Sequence, residues 1–244
     1  MDLHNRVVLV TGGSVRVGRA IALTLARRGA DVVISYRRAS PETAATLDAL
    51  KRIGSRPLAV KADLSREVDI KRMFAVIQRA YGRLDVLVNS AAVFPRTPFD
   101  RLTAKDWDDT MAANLRGPFL CALYASRLMR RRRSGKIINM ADWAGVRPYK
   151  DYLPYCVSKA GILGLTKALA KELAPHIQVA AVAPGPILPP PDMSRAAKAR
   201  IAKRVPLKRW GSPQDIANTV AFLIEGTDFI TGSTIFVDGG QLIA

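Results

Sequence analysis

Short runs of β-branched and aliphatic residues alternate along this chain with longer stretches in which apolar residues return every three or four positions. The first pattern predicts buried strands, the second amphipathic helices. Strands are expected at Val7–Val10, Asp31–Ser35, Pro57–Val60, Leu84–Val88, Lys136–Asn139, Ile177–Val182 and Thr234–Val237. Helices are expected at Val17–Arg28, Pro41–Arg52, Arg66–Tyr81, Trp107–Arg131, Tyr152–Leu173 and Pro213–Leu223. Strands separated by helix-length segments close through right-handed crossovers, which implies a parallel sheet covered on both faces. No repeat, low-complexity tract or linker divides the chain, so residues 1–244 read as a single doubly wound α/β domain.

Composition changes this picture little. Of 244 residues, 49% are hydrophobic and 24% charged, an ordinary globular balance. No apolar run reaches the ~18 residues that span a bilayer. The opening "MDLHNRVVLV" has neither a basic start nor a long apolar segment, so no secretory signal is expected. Cys121 and Cys156 have no metal or redox spacing, which fits a reduced cytoplasm and no metal site.

The net charge of +18 changes more, since it admits nucleic acid, an anionic cofactor or an acidic carrier as partner. Its densest run, Arg127 to Lys136, falls at an expected helix end, where cations meet the negative pole of the helix dipole. No zinc-finger spacing or aromatic RNA-binding strand accompanies it. Charge alone therefore does not make this a nucleic-acid protein, and that run reads as a solvated helix terminus.

Ligands of doubly wound sheets lie beyond the carboxyl ends of the strands. There the sequence places Thr11–Gly18, Tyr36–Ser40, Asp63, Asn89–Phe94, Met140–Asp142 and Pro184–Pro190. The first, "TGGSVRVG", is a glycine-rich turn between strand and helix that lets a pyrophosphate approach backbone N–H groups. The second strand ends in "SYRRAS", with Arg37 and Arg38 where an NAD-selective site has an acid. Two guanidinium groups suit a ribose 2′-phosphate, so the expected cofactor is NADPH.

"TGGSVRVG", "ADLS" at Ala62–Ser65, "LVNSAA" at Leu87–Ala92, "MAANLRGPF" at Met111–Phe119, "YCVSK" at Tyr155–Lys159, "VAPGPI" at Val182–Ile187 and "TGSTIFVDGG" at Thr231–Gly240 run in order. With these motifs the chain resembles the short-chain dehydrogenase/reductase family over its whole length, which implies a Rossmann-type fold. The family's first loop ordinarily has glycine where Arg16 stands. Arginine there resembles the pteridine reductase and dihydromonapterin reductase branch, and implies that Arg16 reaches over the pyrophosphate toward the substrate. The resemblance also implies a cofactor bed of Gly12, Ser14, Arg16, Val17, Tyr36, Arg37, Arg38, Asp63, Leu64, Asn89, Ser90, Ala91, Tyr155, Lys159, Pro184, Gly185 and Ile187.

Tyr155 and Lys159 share a helix face by their spacing of four. A neighbouring ammonium and the positive nicotinamide ring are expected to lower the phenol from its usual ~10, making it a proton donor near neutrality. Thirteen residues before Tyr155, where most of the family has serine, stands Asp142. An anion there opposes the charge growing on a carbonyl oxygen, yet suits protonation of a ring nitrogen. Pteridine reductases have this same aspartate. Phe94 resembles their stacking aromatic, and Asn114 the helix-embedded asparagine that holds a water of the proton relay. Asp63 is expected beside the adenine amino group, or else capping the next helix. Substrate contacts are expected from Arg16, Phe94, Asp142, Tyr155 and Leu188.

Ser90, Ala92 and the run after Leu188 depart from the family pattern, and Trp143 is equally a pocket wall or packing. The reading favoured by Arg16 and Asp142 together is an NADPH-dependent pteridine reductase, with Asp142, Tyr155, Lys159 and Asn114 as catalytic residues. Its rival is a carbonyl reductase, including a reductase of 3-oxoacyl groups on an acidic carrier protein. The basic surface favours that rival; Asp142 opposes it. A nucleotide-binding scaffold without turnover is a third reading, opposed by the intact Tyr155, Lys159 and Asn114. The segment Pro189–Arg204 is the expected substrate lid, and the C-terminal "TGSTIFVDGGQL" the expected tetramer-forming segment, although pairing through the helices at Trp107 and Tyr152 would suffice for a dimer.

Overall fold

A computed structural model describes residues 1–190 and 193–244. The strands are β1 (Val7–Val10), β2 (Asp31–Tyr36), β3 (Leu58–Lys61), β4 (Val86–Asn89), β5 (Gly135–Met140), β6 (Ile177–Pro184) and β7 (Thr234–Val237). The helices are α1 (Arg16–Arg27), α2 (Pro41–Arg52), α3 (Glu67–Tyr81), α4 (Ala104–Met111), α5 (Gly117–Arg130), α6 (Leu153–Leu173), α7 (Arg195–Arg204) and α8 (Pro213–Glu225). All seven strands are parallel, in the order β3-β2-β1-β4-β5-β6-β7. The order reverses between β1 and β4, so their carboxyl ends open a crevice.

Because side chains alternate along a strand, each strand feeds two cores. Val8, Val10, Val32, Ile34, Val86 and Val88 pack under α1 and α8, with Ile21, Leu25, Ile216 and Val220. Val7, Leu9, Val33, Leu87, Ile137 and Val179 pack under α3 and α5, with Ile70, Met73, Cys121 and Met129. Each fully buried aliphatic side chain contributes about 1.5–3 kcal/mol, which is why apolar runs without polar alternation are stable here.

Two expected elements differ in substance. The helix expected at Trp107–Arg131 starts earlier, because Thr103 and Asp106 form a reciprocal cap that begins α4 at Ala104. It is also split, since Ala112–Arg116 winds as one wider π turn between α4 and α5. Within the expected lid, Ser194 caps α7, a helix absent from the expected set; Pro191 and Asp192 lie outside the described residues. Elsewhere the boundaries move by at most two residues.

Nor is Lys136 part of a solvated terminus. It is 2% exposed, and its Nζ donates to the Leu223 and Thr227 carbonyls at 3.2 and 2.7 Å and lies 2.7 Å from the Asp228 carboxylate. A buried cation needs such partners. Among the described residues no helix is long and apolar enough to cross a membrane.

Candidate active site

The turn from β1 to α1 is shaped by contacts that exclude side chains. A Cβ on Gly18 would sit 2.2 Å from the Gly12 carbonyl oxygen, so only glycine lets α1 start against the turn. Gly12 has φ +64°, and a Cβ there would press on the Ala91 backbone at 3.0 Å. Thr11 Oγ1 accepts from the Ser90 and Ala91 N–H groups at 2.9 and 3.1 Å, tying the loops after β1 and β4 into one rim. Ser14 is buried, its carbonyl accepting from Thr46 Oγ1 at 2.9 Å, while Val17 packs on the core beneath.

Arg16 takes the left-handed conformation, φ +51°, that a glycine would adopt without strain. Its exposed guanidinium reaches across the crevice and donates to the Leu188 carbonyl at 3.4 Å. Arg37 and Arg38 are exposed at the end of β2, just past Tyr36. Arg37 is near enough to act on Asp63. Burial works to raise that carboxyl, but hydrogen bonds from Ser65 and the charges of Arg37 and Arg66 outweigh it and hold Asp63 below the usual range. Asp63 Oδ1 accepts from Ser65 N and Oγ at 3.0 and 2.7 Å, which closes the turn before α3 without capping the helix, whose N-cap is Arg66.

Other expected cofactor residues form the frame of this rim. Asn89 donates through Nδ2 to the Pro118 carbonyl and Asn139 Oδ1, at 3.2 and 3.0 Å, and its own Oδ1 is buried with no partner in the described chain. Leu64 and Ile187 are buried in the two cores. Pro184 pairs with Val237 in the sheet, and Gly185 lies so close to Asp238 that a Cβ would meet its Cα at 2.7 Å. The tight glycine turn facing a helix N-terminus, with Arg16, Arg37 and Arg38 near it and no acid closing β2, fits a nicotinamide dinucleotide carrying a 2′-phosphate.

At the other end of the crevice burial dominates. Asp142 follows β5 and caps a 3-10 turn, Trp143–Gly145, through Oδ1, which accepts from Ala144 N at 2.8 Å. Its Oδ2 accepts the Tyr155 hydroxyl at 2.7 Å. Gly145 makes this approach possible, because a Cβ there would lie 2.9 Å from the α6 backbone at Ala160 N. Lys159, one turn below Tyr155, is 4% exposed and donates to the Met140 carbonyl at 2.7 Å. Asn114, presented by the π turn, accepts from Val93 N and donates to Val93 O, both at 2.8 Å, and donates to Ser158 Oγ at 3.3 Å. It braces the loop after β4 against α6.

The electrostatics correct the expectation for Tyr155. Burial, then the charge and hydrogen bond of Asp142, raise the phenol well above its usual 10. Burial also raises Asp142, although Tyr155, the Ala144 N–H and Lys159 oppose it. Burial lowers Lys159 to about 8, against the pull of Asp142. Tyr155 is thus a phenol that keeps its proton.

Phe94 stands half exposed beside this group. One ring face stacks on Tyr152 at 4.3 Å and 8°, and it meets Tyr155 edge-on at 4.4 Å. Arg96 pairs with Asp151 at 2.7 Å and Thr97 N donates to the Asp151 carbonyl at 2.7 Å, clamping the Phe94 loop there. Tyr149 lies edge-on to Trp143 at 5.4 Å and accepts its indole N–H. Tyr149 and Tyr152 are wall residues that sequence reasoning missed. The aromatic density of "WAGVRPYKDYLPY" between Asp142 and Tyr155 was the available signal.

Residues 15–241 match a family described as enoyl-(acyl carrier protein) reductase. The chain is 39% identical over 243 residues to a 3-oxoacyl-[acyl-carrier-protein] reductase, FabG, of Staphylococcus epidermidis, covering 97% of this chain and 99% of that one. A protein of the same name from Aquifex aeolicus is 36% identical, covering 99% of each. Among solved structures, a short-chain dehydrogenase/reductase of Serratia marcescens superposes with a TM-score of 0.92 at 31% identity, covering 100% of each chain. Levodione reductase does so with 0.93 at 31%, covering 99% of each. The full-length relatives overturn the expectation of a pteridine reductase. The residues that suggested it have other work here: Arg16 holds Leu188, Phe94 has one face on Tyr152, and Asp142 bonds Tyr155 and Ala144.

Proposed function

The chain belongs to the short-chain dehydrogenase/reductase family, and on that premise we propose that it is an NADPH-dependent reductase of 3-oxoacyl thioesters carried on an acyl carrier protein. The observation that carries this reading is identity of 36–40% along essentially the whole chain to proteins named for that reaction. As a NAD(P)-dependent short-chain oxidoreductase, it would receive from bound NADPH the hydride that reduces the ketone carbon. Gly12, Ser14, Arg16, Arg37 and Arg38 would hold the phosphates, and the buried Lys159 the ribose beside the reacting ring.

Tyr155 gives its proton to the carbonyl oxygen as the hydride arrives, so the ketone becomes a secondary alcohol. The raised phenol suits a donor that must remain protonated until an alkoxide-like oxygen pulls on it. Asp142 reconciles with this chemistry only in its neutral form. A neutral carboxyl donates a hydrogen bond as a serine hydroxyl does, and can refill Tyr155; an ionised one holds the Tyr155 proton away from substrate and repels the growing charge. Burial favours the neutral form. Asn114 positions the Val93 loop and α6 relative to each other. Residues 193–204 would act as the lid, with Leu188 and Phe94 as the cleft wall.

For assembly the reading takes a homotetramer. Phe222, Phe229 and Ile243 expose an apolar surface near the C-terminus, and Trp107, Phe119, Leu153 and Val157 expose another on α4, α5 and α6. The test of the function is oxidation of NADPH with acetoacetyl carrier protein and with dihydrobiopterin in parallel. Turnover of the thioester is expected. Turnover of the pterin with an inert thioester would refute the reading.

A further inference from the structure

The segment between Asp142 and Tyr155 carries a second phenol, Tyr149, and the fold holds it twice. Tyr149 N donates to Cys156 Sγ at 3.3 Å, and the thiol returns to the Tyr149 carbonyl at 3.9 Å, which fastens its backbone to α6. The Tyr149 hydroxyl oxygen accepts the Trp143 indole N–H, which fastens its side chain to the turn that Asp142 caps. Trp143 is 7% exposed, so it is a rigid donor.

That bond satisfies the buried indole, yet it uses only half of what a phenol offers. An indole N–H can only donate, so the Tyr149 oxygen is fixed as acceptor and its own hydrogen is left to spend. Among the described residues no group accepts it. Asp142 accepts from Ala144 N and from the Tyr155 hydroxyl, and Cys156 accepts from the Tyr149 backbone rather than the hydroxyl.

The ring stands among the groups of the reacting end. Tyr149 lies edge-on to Phe94 and to Tyr152, at 6.2 Å between centroids in each case, and Phe94 meets Tyr155 edge-on at 4.4 Å. Burial, then the nearby Asp142, raises the Tyr149 phenol above its usual range, so it also keeps its proton. Two protonated phenols therefore border the half-exposed Phe94 ring.

Two O–H donors on one cleft wall suit a substrate with two acceptor oxygens. A lone ketone would leave the Tyr149 hydrogen unmet in a cleft closed to water, and an unmet donor discriminates against the ligand that fails to meet it. We propose that Tyr149 is a specificity-determining, substrate-binding residue: its hydroxyl, oriented by Trp143, donates to the second carbonyl oxygen of a 1,3-dicarbonyl substrate while Tyr155 serves the carbonyl that is reduced. That the second carbonyl is a thioester rests on the reaction proposed above; a 1,3-diketone meets the same pair of donors. The second oxygen gains no charge as the ketone is reduced. The Tyr149 bond thus holds substrate and transition state equally, and its loss belongs in KM rather than kcat.

The test compares wild type with Tyr149→Phe and with the double variant Trp143→Phe/Tyr149→Phe, which leaves no indole N–H unpaired. NADPH oxidation is read with acetoacetyl pantetheine and with S-(3-oxobutyl) pantetheine, in which a methylene replaces the thioester carbonyl. Pentane-2,4-dione and pentan-2-one repeat the comparison without a thioester. NADPH binding, measured by fluorescence, should be the same in all three proteins. Both variants should raise the KM of the two dicarbonyls about fivefold with kcat unchanged, and should not raise the KM of either monoketone. Equal rises for dicarbonyls and monoketones would overturn the proposal by reducing Tyr149 to packing. A fall in kcat for all four at unchanged KM would overturn it by placing Tyr149 in the proton path, and unchanged kinetics throughout would overturn it outright. If pentane-2,4-dione is reduced with a KM that depends on Tyr149 but the acetoacetyl thioester is inert, the reaction reading fails and the role of Tyr149 stands.

Discussion

The two ends of the crevice are built on opposite principles. Around Tyr155 the polar groups are buried or half-buried and bonded within the chain: Asp142 to Tyr155 and Ala144, Lys159 to Met140, Asn114 to Val93 and Ser158. Around Arg16, Arg37, Arg38 and α7 the charges are exposed, and few have partners in the chain. Burial shifts protonation and fixes geometry, which proton transfer requires. Exposed cations keep their charge and cost little to leave open, which suits a surface that must admit and release anions. The chemistry is therefore set by what the chain encloses, and recognition by what it leaves unpaired.

The sharpest way to break this contrast is Tyr155→Phe. Removing the phenol proposed as the proton donor should lower turnover about 10³-fold while NADPH binding, measured by fluorescence, stays intact. Retained turnover would mean that the buried end does not carry the proton. Next in size, Arg37→Glu/Arg38→Ser should weaken NADPH about 10²-fold and leave NADH little changed, because only the 2′-phosphate distinguishes them. Equal effects on both cofactors would move the phosphate elsewhere.

Asp142→Ser sharpens the comparison through pH. In wild type, turnover should fall as pH rises through the raised Asp142 value, and again as Lys159 loses its proton near 8. The serine variant should lose the first fall, keep the second slightly below its wild-type position because Asp142 no longer supports the ammonium, and gain about tenfold at neutral pH. A profile unchanged in shape would show that Asp142 does not titrate in turnover. The smallest effect belongs to Arg16→Gly. Relief of the left-handed arginine should raise stability by about 1 kcal/mol or less, seen as a higher Tm, while loss of the cation raises the KM for NADPH.

Much of the frame was legible because its signals are local. Apolar runs marked the strands, and the glycine–arginine turn and the Tyr155–Lys159 spacing marked both ends of the crevice. The split at Asn114 was not legible, since a π turn changes the helical period by one residue within an unbroken helical pattern. Helix α7 had a signal, Ser194 ahead of an alanine-, arginine- and lysine-rich run, but the preceding prolines masked it. The pteridine reading fails for another reason: Arg16, Phe94 and Asp142 could each serve a ligand, but the fold gives them Leu188, Tyr152, and Tyr155 with Ala144 as partners.

The sequence by itself determined the order of elements, the parallel sheet, the glycine turn after β1 and the shared helix face of Tyr155 and Lys159, because these depend on periodicity and on neighbours a few residues apart. Only the tertiary structure decided that Tyr155 is held above its usual range, that Lys136 is a buried tie, and that a helix, α7, opens at Ser194. Those outcomes depend on burial and on charges brought together across long stretches of chain. Local pattern cannot report either quantity, since both arise only when the layers close.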